Sequence, residues 1–377
     1  MRKRLVGALA FAAVGSLALA ACGSSSSGTG TTASSAAAGA SSAAAGAGGK
    51  IGVILPDSAS SARWETADRK FLSEAFTAAG VQADIQNAGG DKAKFQTLAD
   101  GFITGGVKAL LIVNLDSDTG AAVIKKATAA GIPVIDYDRL TLGGGASYYV
   151  SFDNVKVGTG IGEGLVKCLQ DAGTKTGPVV ELNGSPTDNN ATLFKQGYDA
   201  AVKKAGYTVA DSQAVADWDN TKAVTVFQQM FTKLGGKFVG VAAANDGLGG
   251  AAVSVLKQNG LAGKIPVTGQ DATDEGLQRV LLGTQCVTVY KAVKKEAAAA
   301  AELAILLAKG DKAGADAKAT GKTADSVSGK DVPSVLLDPQ PIYKASVKDV
   351  VADGFTTAAK ICTTAELKAA CTANGVS

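Results

Sequence analysis

From Lys50 onward, short apolar runs rich in β-formers alternate with stretches patterned for helix, and this alternation constrains the fold more than any other feature. Residues 51–55, 107–113, 132–136, 179–182, 239–243 and 265–269 carry the strand signal. Between the first two, Ala67, Phe71, Ala75 and Ala78 fall on one helical face. Strands this apolar are buried on both sides, which in an alternating chain means parallel sheet covered by helices. Roughly ten strands or more are expected, too many for one compact doubly wound sheet. The economical reading is α/β with two doubly wound parallel-sheet lobes, and a break near Asp153 and Asn154 where the run 148–152 ends. At 377 residues and 46% hydrophobic, the chain is long enough to bury both cores.

Composition removes several function classes. With no His, the Ser-His-Asp and Cys-His nucleophile systems and His-ligated metal sites are unavailable. The formal charge of +3 is accounted for by Arg2, Lys3 and Arg4, so the body is near neutral and nucleic acid is not an expected partner. Those three residues open a secretory pattern: a basic start, an apolar stretch 5–18, then Leu19-Ala20-Ala21-Cys22. The last four residues resemble the bacterial lipobox, in which the Cys thiol is acylated and begins the mature chain. An ordinary signal with a chance Cys is the plainer alternative. Residues 1–21 are therefore read as a signal peptide, Cys22 as the lipidation site and 22–49 as the anchor and a flexible Ser/Gly/Ala linker. Such a linker reaches roughly 30 Å. The mature protein is expected on the outer face of the cell membrane, and no later apolar run has membrane-spanning length.

Polar residues gather just after the expected strand ends: Asp57, Asp138 with Arg139, Asn189 with Asn190, Asn245 with Asp246, and Gln270 with Asp271. In open α/β sheets ligands bind outside those carboxyl ends. Two lobes facing each other would bring these residues to one cleft. Each also has a local explanation: a surface ion pair for Asp138 and Arg139, a turn for Asn189 and Asn190, helix caps for Asn245, Asp246 and Asp271. Trp64 and Trp218 stand near expected helix starts, as packing aromatics or as flat apolar platforms. Carboxylates, amides and Arg beside aromatic faces suit a neutral polyhydroxyl ligand, since each hydroxyl both donates and accepts.

The stretches 60–64 (SSARW), 137–139 (YDR), 148–154 (YYVSFDN), 184–191 (GSPTDNNA), 244–246 (AND), 269–272 (GQDA) and 288–291 (TVYK) occur in order. Together with 330–334 and 353–355 they make the chain resemble the periplasmic D-xylose-binding proteins and the related multiple-sugar receptors of ABC importers. The resemblance implies a type I periplasmic-binding fold, two lobes joined by crossover hinge segments that close on one monosaccharide. It places residues 50–153 plus about 291–335 in the first lobe and 154–290 plus about 336–377 in the second. Carried over by matching motif, Arg63, Trp64, Asp138 and Arg139 come from the first lobe, while Asp188, Asn190, Trp218, Asn245 and Asp271 come from the second. Lys291 lies at the return crossover. Asn189 and Asp246 are expected beside the ligand without touching it, and Gln270 is expected to support the backbone. The implied partners are a permease and its ATPase, with the protein a monomer.

Other motifs fail. The glycines at 158, 160, 162 and 164 break the dinucleotide-binding frame and read as close helix packing. No phosphate-binding loop or zinc spacing is present, so no cofactor or metal is expected. The four Cys after Cys22 permit three connectivities. Cys362 with Cys371 and Cys168 with Cys286 is the preferred one, against burial of Cys168 and Cys286 as free thiols. The importer reading competes with a sensor presenting its closed form to a membrane receptor. It also competes with a carboxylate glycosidase using Asp138 and Asp271, which Arg139 and Lys291 would disfavour by holding both acids ionised.

Overall fold

The computed structural model describes residues 49–377. The signal peptide, the lipidation site at Cys22 and the linker lie outside the described residues, except for the linker's last residue, Gly49. The first sheet is built from β1 (Ile51–Leu55), β2 (Ala83–Asn87), β3 (Ala109–Ile112), β4 (Val134–Tyr137) and β5 (Tyr148–Phe152). The second group of strands is β6 (Pro178–Asn183), β7 (Thr208–Ala214), β8 (Gly240–Ala243), β9 (Thr268–Gln270) and β10 (Val287–Tyr290). The chain then returns to the first sheet with the hairpin β11 (Gly321–Asp325) and β12 (Lys330–Leu337), and ends in the second group with β13 (Gln340–Ile342).

The first sheet has the order β11-β12-β5-β4-β3-β1-β2 and is parallel except for β11. The second group forms β7-β6-β8 and β9-β10-β13, joined by a single parallel bridge between Val241 and Val267. Strand β13 alone runs antiparallel there. The chain passes between the two groups three times: after Phe152, after Tyr290 and after Leu337. Two of these crossings touch, the Asp153 N–H donating to the Leu337 carbonyl at 2.9 Å.

Helices cover both faces. In chain order they are α1 (Arg69–Ala78), α2 (Lys92–Thr104), α3 (Ser117–Ala129), α4 (Asn154–Asp171), α5 (Asn189–Lys204), α6 (Asn220–Leu234), α7 (Asp246–Gln258), α8 (Asp274–Leu282) and α9 (Val293–Ala308). One face of the first sheet packs on α1 and α9 through Phe71, Leu72, Phe76, Ala297, Ala300 and Ala304, the other on α2 and α3 through Phe95, Phe102 and Ile124. The buried face of α1 differs from the sequence expectation, because Ala78 is exposed and Leu72 and Phe76 face the core. A π-helical turn at Trp64–Asp68 precedes α1. The last helices pack Val347, Val350, Ile361 and Leu367 on the second group.

Two disulfides close the frame. Cys168 in α4 is bonded to Cys286 at the start of β10, with Cα atoms 6.5 Å apart, and Cys362 to Cys371, with Cα atoms 6.2 Å apart. The glycine series in α4 serves packing on two sides. A Cβ on Gly162 would lie 2.7 Å from the Tyr198 Cα of α5, and one on Gly164 would lie 2.7 Å from the Val287 side chain of β10.

This contact reverses the usual effect of replacing a helical glycine. Gly101 in α2 is exposed and has open space beyond its Cα, so Gly101→Ala should stabilise by roughly 0.5 to 1 kcal/mol. Gly162→Ala has the same propensity gain but must push α4 and α5 apart, for a net loss of about 1 to 3 kcal/mol. Denaturant unfolding of both variants checks this; equal shifts would contradict the packing role.

Candidate functional site

The carboxyl ends of β1, β4, β6, β8, β9 and β10 converge on one cavity of about 300 Å³ of empty space. All ten side chains carried over by motif line it: Arg63, Trp64, Asp138, Arg139, Asp188, Asn190, Trp218, Asn245, Asp271 and Lys291. All ten are buried. Its size lies at the small end of ligand pockets.

Arg63 organises the first-sheet side. Its Nε and Nη2 grip the two oxygens of Asp68 at 2.9 and 2.8 Å, Nη2 also donates to Glu296 Oε2 at 3.1 Å, and Nη1 donates to Asp138 Oδ2 at 3.0 Å. Four of its five N–H groups are thus committed to protein carboxylates. The π-helical turn brings Asp68 under the guanidinium, and Tyr137 donates a further hydrogen bond to Asp68 at 2.7 Å. The Arg63 guanidinium also lies 4.3 Å over the Trp64 ring, whose indole N–H donates to Ser60 Oγ at 3.1 Å.

Asp138 sits in a left-handed conformation, φ 64°, which its surroundings fix. Its carbonyl accepts from the Tyr149 and Ser151 hydroxyls and from Asn190, at 3.0, 2.8 and 2.9 Å. Its carboxylate takes Arg63, Lys291 at 3.1 Å and Asn190 at 3.1 Å. Burial alone would raise this carboxyl, but Lys291, Arg63 and Arg139 outweigh burial and hold it well below the usual carboxylate range. Sequence reasoning matched Asp138 with Arg139. The structure instead ion-pairs Arg139 Nε with Asp188 Oδ2 at 3.0 Å, an oxygen that accepts a hydrogen bond from the Trp218 indole N–H at 3.0 Å.

The opposite wall is formed by Asn245, Gln270, Asp271, Phe194 and Trp218. Asn245 is the cap weighed for it, its Oδ1 accepting from Leu248 N–H at the start of α7, and from the cavity wall its Nδ2 also reaches across to the Ser60 carbonyl at 3.3 Å. Asp188 likewise caps α5. Asp271 is not a cap, since Thr273 caps α8. Asp271 Oδ2 accepts from Ser61 at 3.0 Å, and its Oδ1 lies 3.8 Å from Arg63 and 3.5 Å from Lys291 without a hydrogen bond. The non-glycine residues with positive φ among those described are Asp138, Asp217, Trp218, Asp271 and Ala272, so backbone strain concentrates around this cavity. Gly184 is required beside it, because a Cβ there would collide with the Trp218 ring.

Several expectations need correction. Gln270, read as a backbone support, lines the cavity, and its buried Oε1 has no hydrogen-bond partner. Asp57 folds back to accept from the Ala59 and Ser60 N–H groups and the Ser60 hydroxyl, ordering the loop instead of facing the cavity. Phe194, Ser60 and Ser61 were missed. Phe194 stands four residues after Asn190 on the same helical face, a spacing that would have found it. Asp246 is buried beneath Thr273 and Gln285, and burial pushes its carboxyl up to about 6 even though Arg279 opposes the shift.

In sum, three cations, Arg63, Arg139 and Lys291, meet four carboxylates, Asp68, Asp138, Asp188 and Asp271, each within 4 Å of an opposite charge. The acceptors left free on the wall are Asp271 Oδ1 and Gln270 Oε1. A guest suited to this wall donates hydrogen bonds to those acceptors without bringing negative charge, as a hydroxyl does. Such an interlobe cavity defines a solute-binding protein of the type I periplasmic-binding fold.

Comparison with known proteins agrees. Residues 51–312 match the periplasmic binding protein domain family. The chain is 34% identical over 311 residues to the D-xylose-binding periplasmic protein of Escherichia coli K12, covering 81% of this chain and 90% of that one. It is 31% identical over 324 residues to a multiple sugar-binding periplasmic receptor of Rhizobium radiobacter, covering 81% and 90%. Among solved structures, an ABC transporter solute binding protein from Clostridium phytofermentans with bound β-D-glucose superposes with TM-score 0.72 at 25% identity, covering 83% of this chain and 99% of that one. The chain belongs to the periplasmic binding protein family, in the group of the D-xylose-binding and multiple-sugar-binding proteins.

Asp138 provides a pH test. Its carboxyl is depressed in the folded state, so its contribution to stability is complete above the ordinary carboxylate value of about 4 and is lost as pH falls below it. Asp138→Asn should cost about 3 to 5 kcal/mol near neutral pH by leaving buried cations short of a partner. Unfolding measured across pH should show that gap narrowing in acid; a gap independent of pH would contradict the assignment.

Proposed function

We propose that this protein captures one neutral monosaccharide, D-xylose or a close relative, between its two lobes and delivers it to the permease of an ABC importer. The supporting observation is the combination of ion-paired cations with free acceptors on the cavity wall. The ten residues carried over by motif are the proposed contacts: Asp271, Asn245, Asn190 and Asp138 to hydroxyls, Arg63, Arg139, Lys291 and Asp188 to oxygens and to each other, Trp64 and Trp218 to the ring faces. The relatives named above are a D-xylose-binding protein, a multiple sugar-binding receptor and a solute binding protein with bound glucose, which supports the class of ligand. The lobes are proposed as 50–153 with about 291–335, and 154–290 with about 336–377, moving about the three crossings. Export follows from the family, and Cys22 is proposed to tether the mature chain through lipid.

Hydrolysis is disfavoured by the charge arrangement. A glycosidase needs one carboxylic acid in contact with the glycosidic oxygen. Asp138 is held ionised by three cations, so it is no proton donor.

Calorimetry on the mature protein with D-xylose, D-glucose, D-galactose and L-arabinose should find one-to-one binding of at least one of them. Glucuronate, similar in shape but anionic, should bind far more weakly. Asp271→Ala should lower affinity roughly tenfold to a hundredfold, since a hydroxyl and the Lys291 ammonium both lose a partner. Unchanged affinity in that variant, or release of free sugar from an incubated glycoside, would contradict the reading.

A further inference from the structure

Glu296 stands in the first turn of α9, five residues after Lys291 on the segment that crosses back to the first lobe. It does not line the cavity, yet it touches the residue that organises it. Its Oε2 accepts a hydrogen bond from Arg63 at 3.1 Å, and its Oε1 is buried without a partner. The other carboxylates around Arg63 are better supplied. Asp68 receives two N–H groups from Arg63 and the Tyr137 hydroxyl; Asp138 receives Arg63, Lys291 and Asn190. An ionised carboxylate out of reach of water needs several donors, and Glu296 has one.

The groups facing Glu296 point the same way. They are Arg63 and Asp68 from the π-helical turn, Tyr137 of β4, Asp138 after it, Tyr149 of β5, and Lys291 on its own segment. The apolar residues of this layer include Leu72 of α1, Val53 and Leu55 of β1, Leu111 of β3 and Val113 just after it. Arg63 has four carboxylates within 4 Å, of Asp68, Asp138, Asp271 and Glu296; among the described residues Lys291 is the other cation within 4 Å of that set, and Arg139 acts on Asp138 from further away. Even with Arg139 adding its charge beside Asp138, the anions of this buried cluster outnumber its cations, an unfavourable balance. It is relieved at the carboxyl with the fewest donors.

We propose that Glu296 is a positioning residue of the sugar site and acts as a neutral acid: its oxygen fixes the Arg63 guanidinium, while its lack of charge leaves Arg63 and Lys291 to the ligand-facing carboxylates of Asp138 and Asp271. Burial supports this, pushing the Glu296 carboxyl well above its usual range; Asp138 adds to the rise, and Arg63 and Lys291 do not reverse it. Were Glu296 ionised, it would compete with Asp138 for the same guanidinium from the opposite side. The assignment rests on the sugar-binding reading for its ligand, but the protonation it requires is a property of the protein alone.

Two measurements on the mature chain separate these layers. The first is calorimetry with D-xylose, D-glucose, D-galactose and L-arabinose on wild type, Glu296→Gln and Glu296→Ala. Gln keeps a neutral oxygen facing Arg63, so its affinity should stay within about threefold of wild type, whereas Glu296→Ala should lose about tenfold or more. A loss in Glu296→Gln as large as in Glu296→Ala would show that the charge is what matters, and an unaffected Glu296→Ala would remove the residue from the site; either overturns the proposal. The second is infrared difference spectroscopy of the sugar-free protein at neutral pH. A carboxylic-acid carbonyl band present in wild type and missing from Glu296→Gln is expected, since Asp136, raised by its own burial to about 7, contributes to both spectra alike. No such difference overturns the proposal even if none of the four sugars binds, an outcome that would separately refute the sugar reading.

Discussion

The site depends on one buried guanidinium. Arg63 is 2% exposed, and taking its charge out of water is tolerable only because Asp68 grips it from below and Asp138 faces it from the cavity side. That requirement propagates outward. Asp68 reaches Arg63 through a π-helical turn, Asp138 through a left-handed backbone, and Asp138 in turn holds Lys291 of the crossover. The most unusual local geometry in the chain thus lies where electrostatics demands it, and the sheets supply the rigid ends from which these loops start.

The same electrostatics joins the two lobes. Arg139 of the first ion-pairs with Asp188 of the second; Ser60 and Ser61 meet Asn245 and Asp271; Asn190 reaches the Asp138 carbonyl. These are contacts between carboxyl-end loops, with few apolar side chains among them, so the lobes gain little from closing on hydrophobic grounds. For a guest to drive closure it must bind the closed arrangement better than the open one, which a guest completing this polar network would do. Each of the three cations on the wall is already paired with a carboxylate, which disfavours an anionic guest.

Much of this was legible in the sequence, and the failures have physical causes. The alternation of apolar runs and helical stripes led to two α/β layers because parallel strands buried on both faces leave an unmistakable hydrophobic signature. Strand ends were less legible: 107–113 shrinks to Ala109–Ile112, since apolar residues continue into loops that are themselves buried. The face of α1 was misjudged at Ala78 because the stripe followed small alanines and passed over Leu72 and Phe76, the larger apolar side chains that the helix buries. Asp57 and Gln270 exchanged roles because residue type and position after a strand do not say which way a side chain turns. Glu296 carries no motif; its meaning comes from Arg63, more than two hundred residues earlier in the chain.

The central claim is that Asp271 and Gln270 hold acceptors open for hydroxyl donors while Arg63 and Lys291 balance the carboxylates around them. A crystal structure of the protein grown with D-xylose or D-glucose tests it most directly. The account predicts a sugar ring between Trp64 and Trp218, with hydroxyl oxygens within hydrogen-bonding distance of Asp271 Oδ1 and Gln270 Oε1 and the Arg63–Asp138–Lys291 contacts unbroken. A sugar bound elsewhere, or one whose hydroxyls leave both acceptors unpaired, would contradict it.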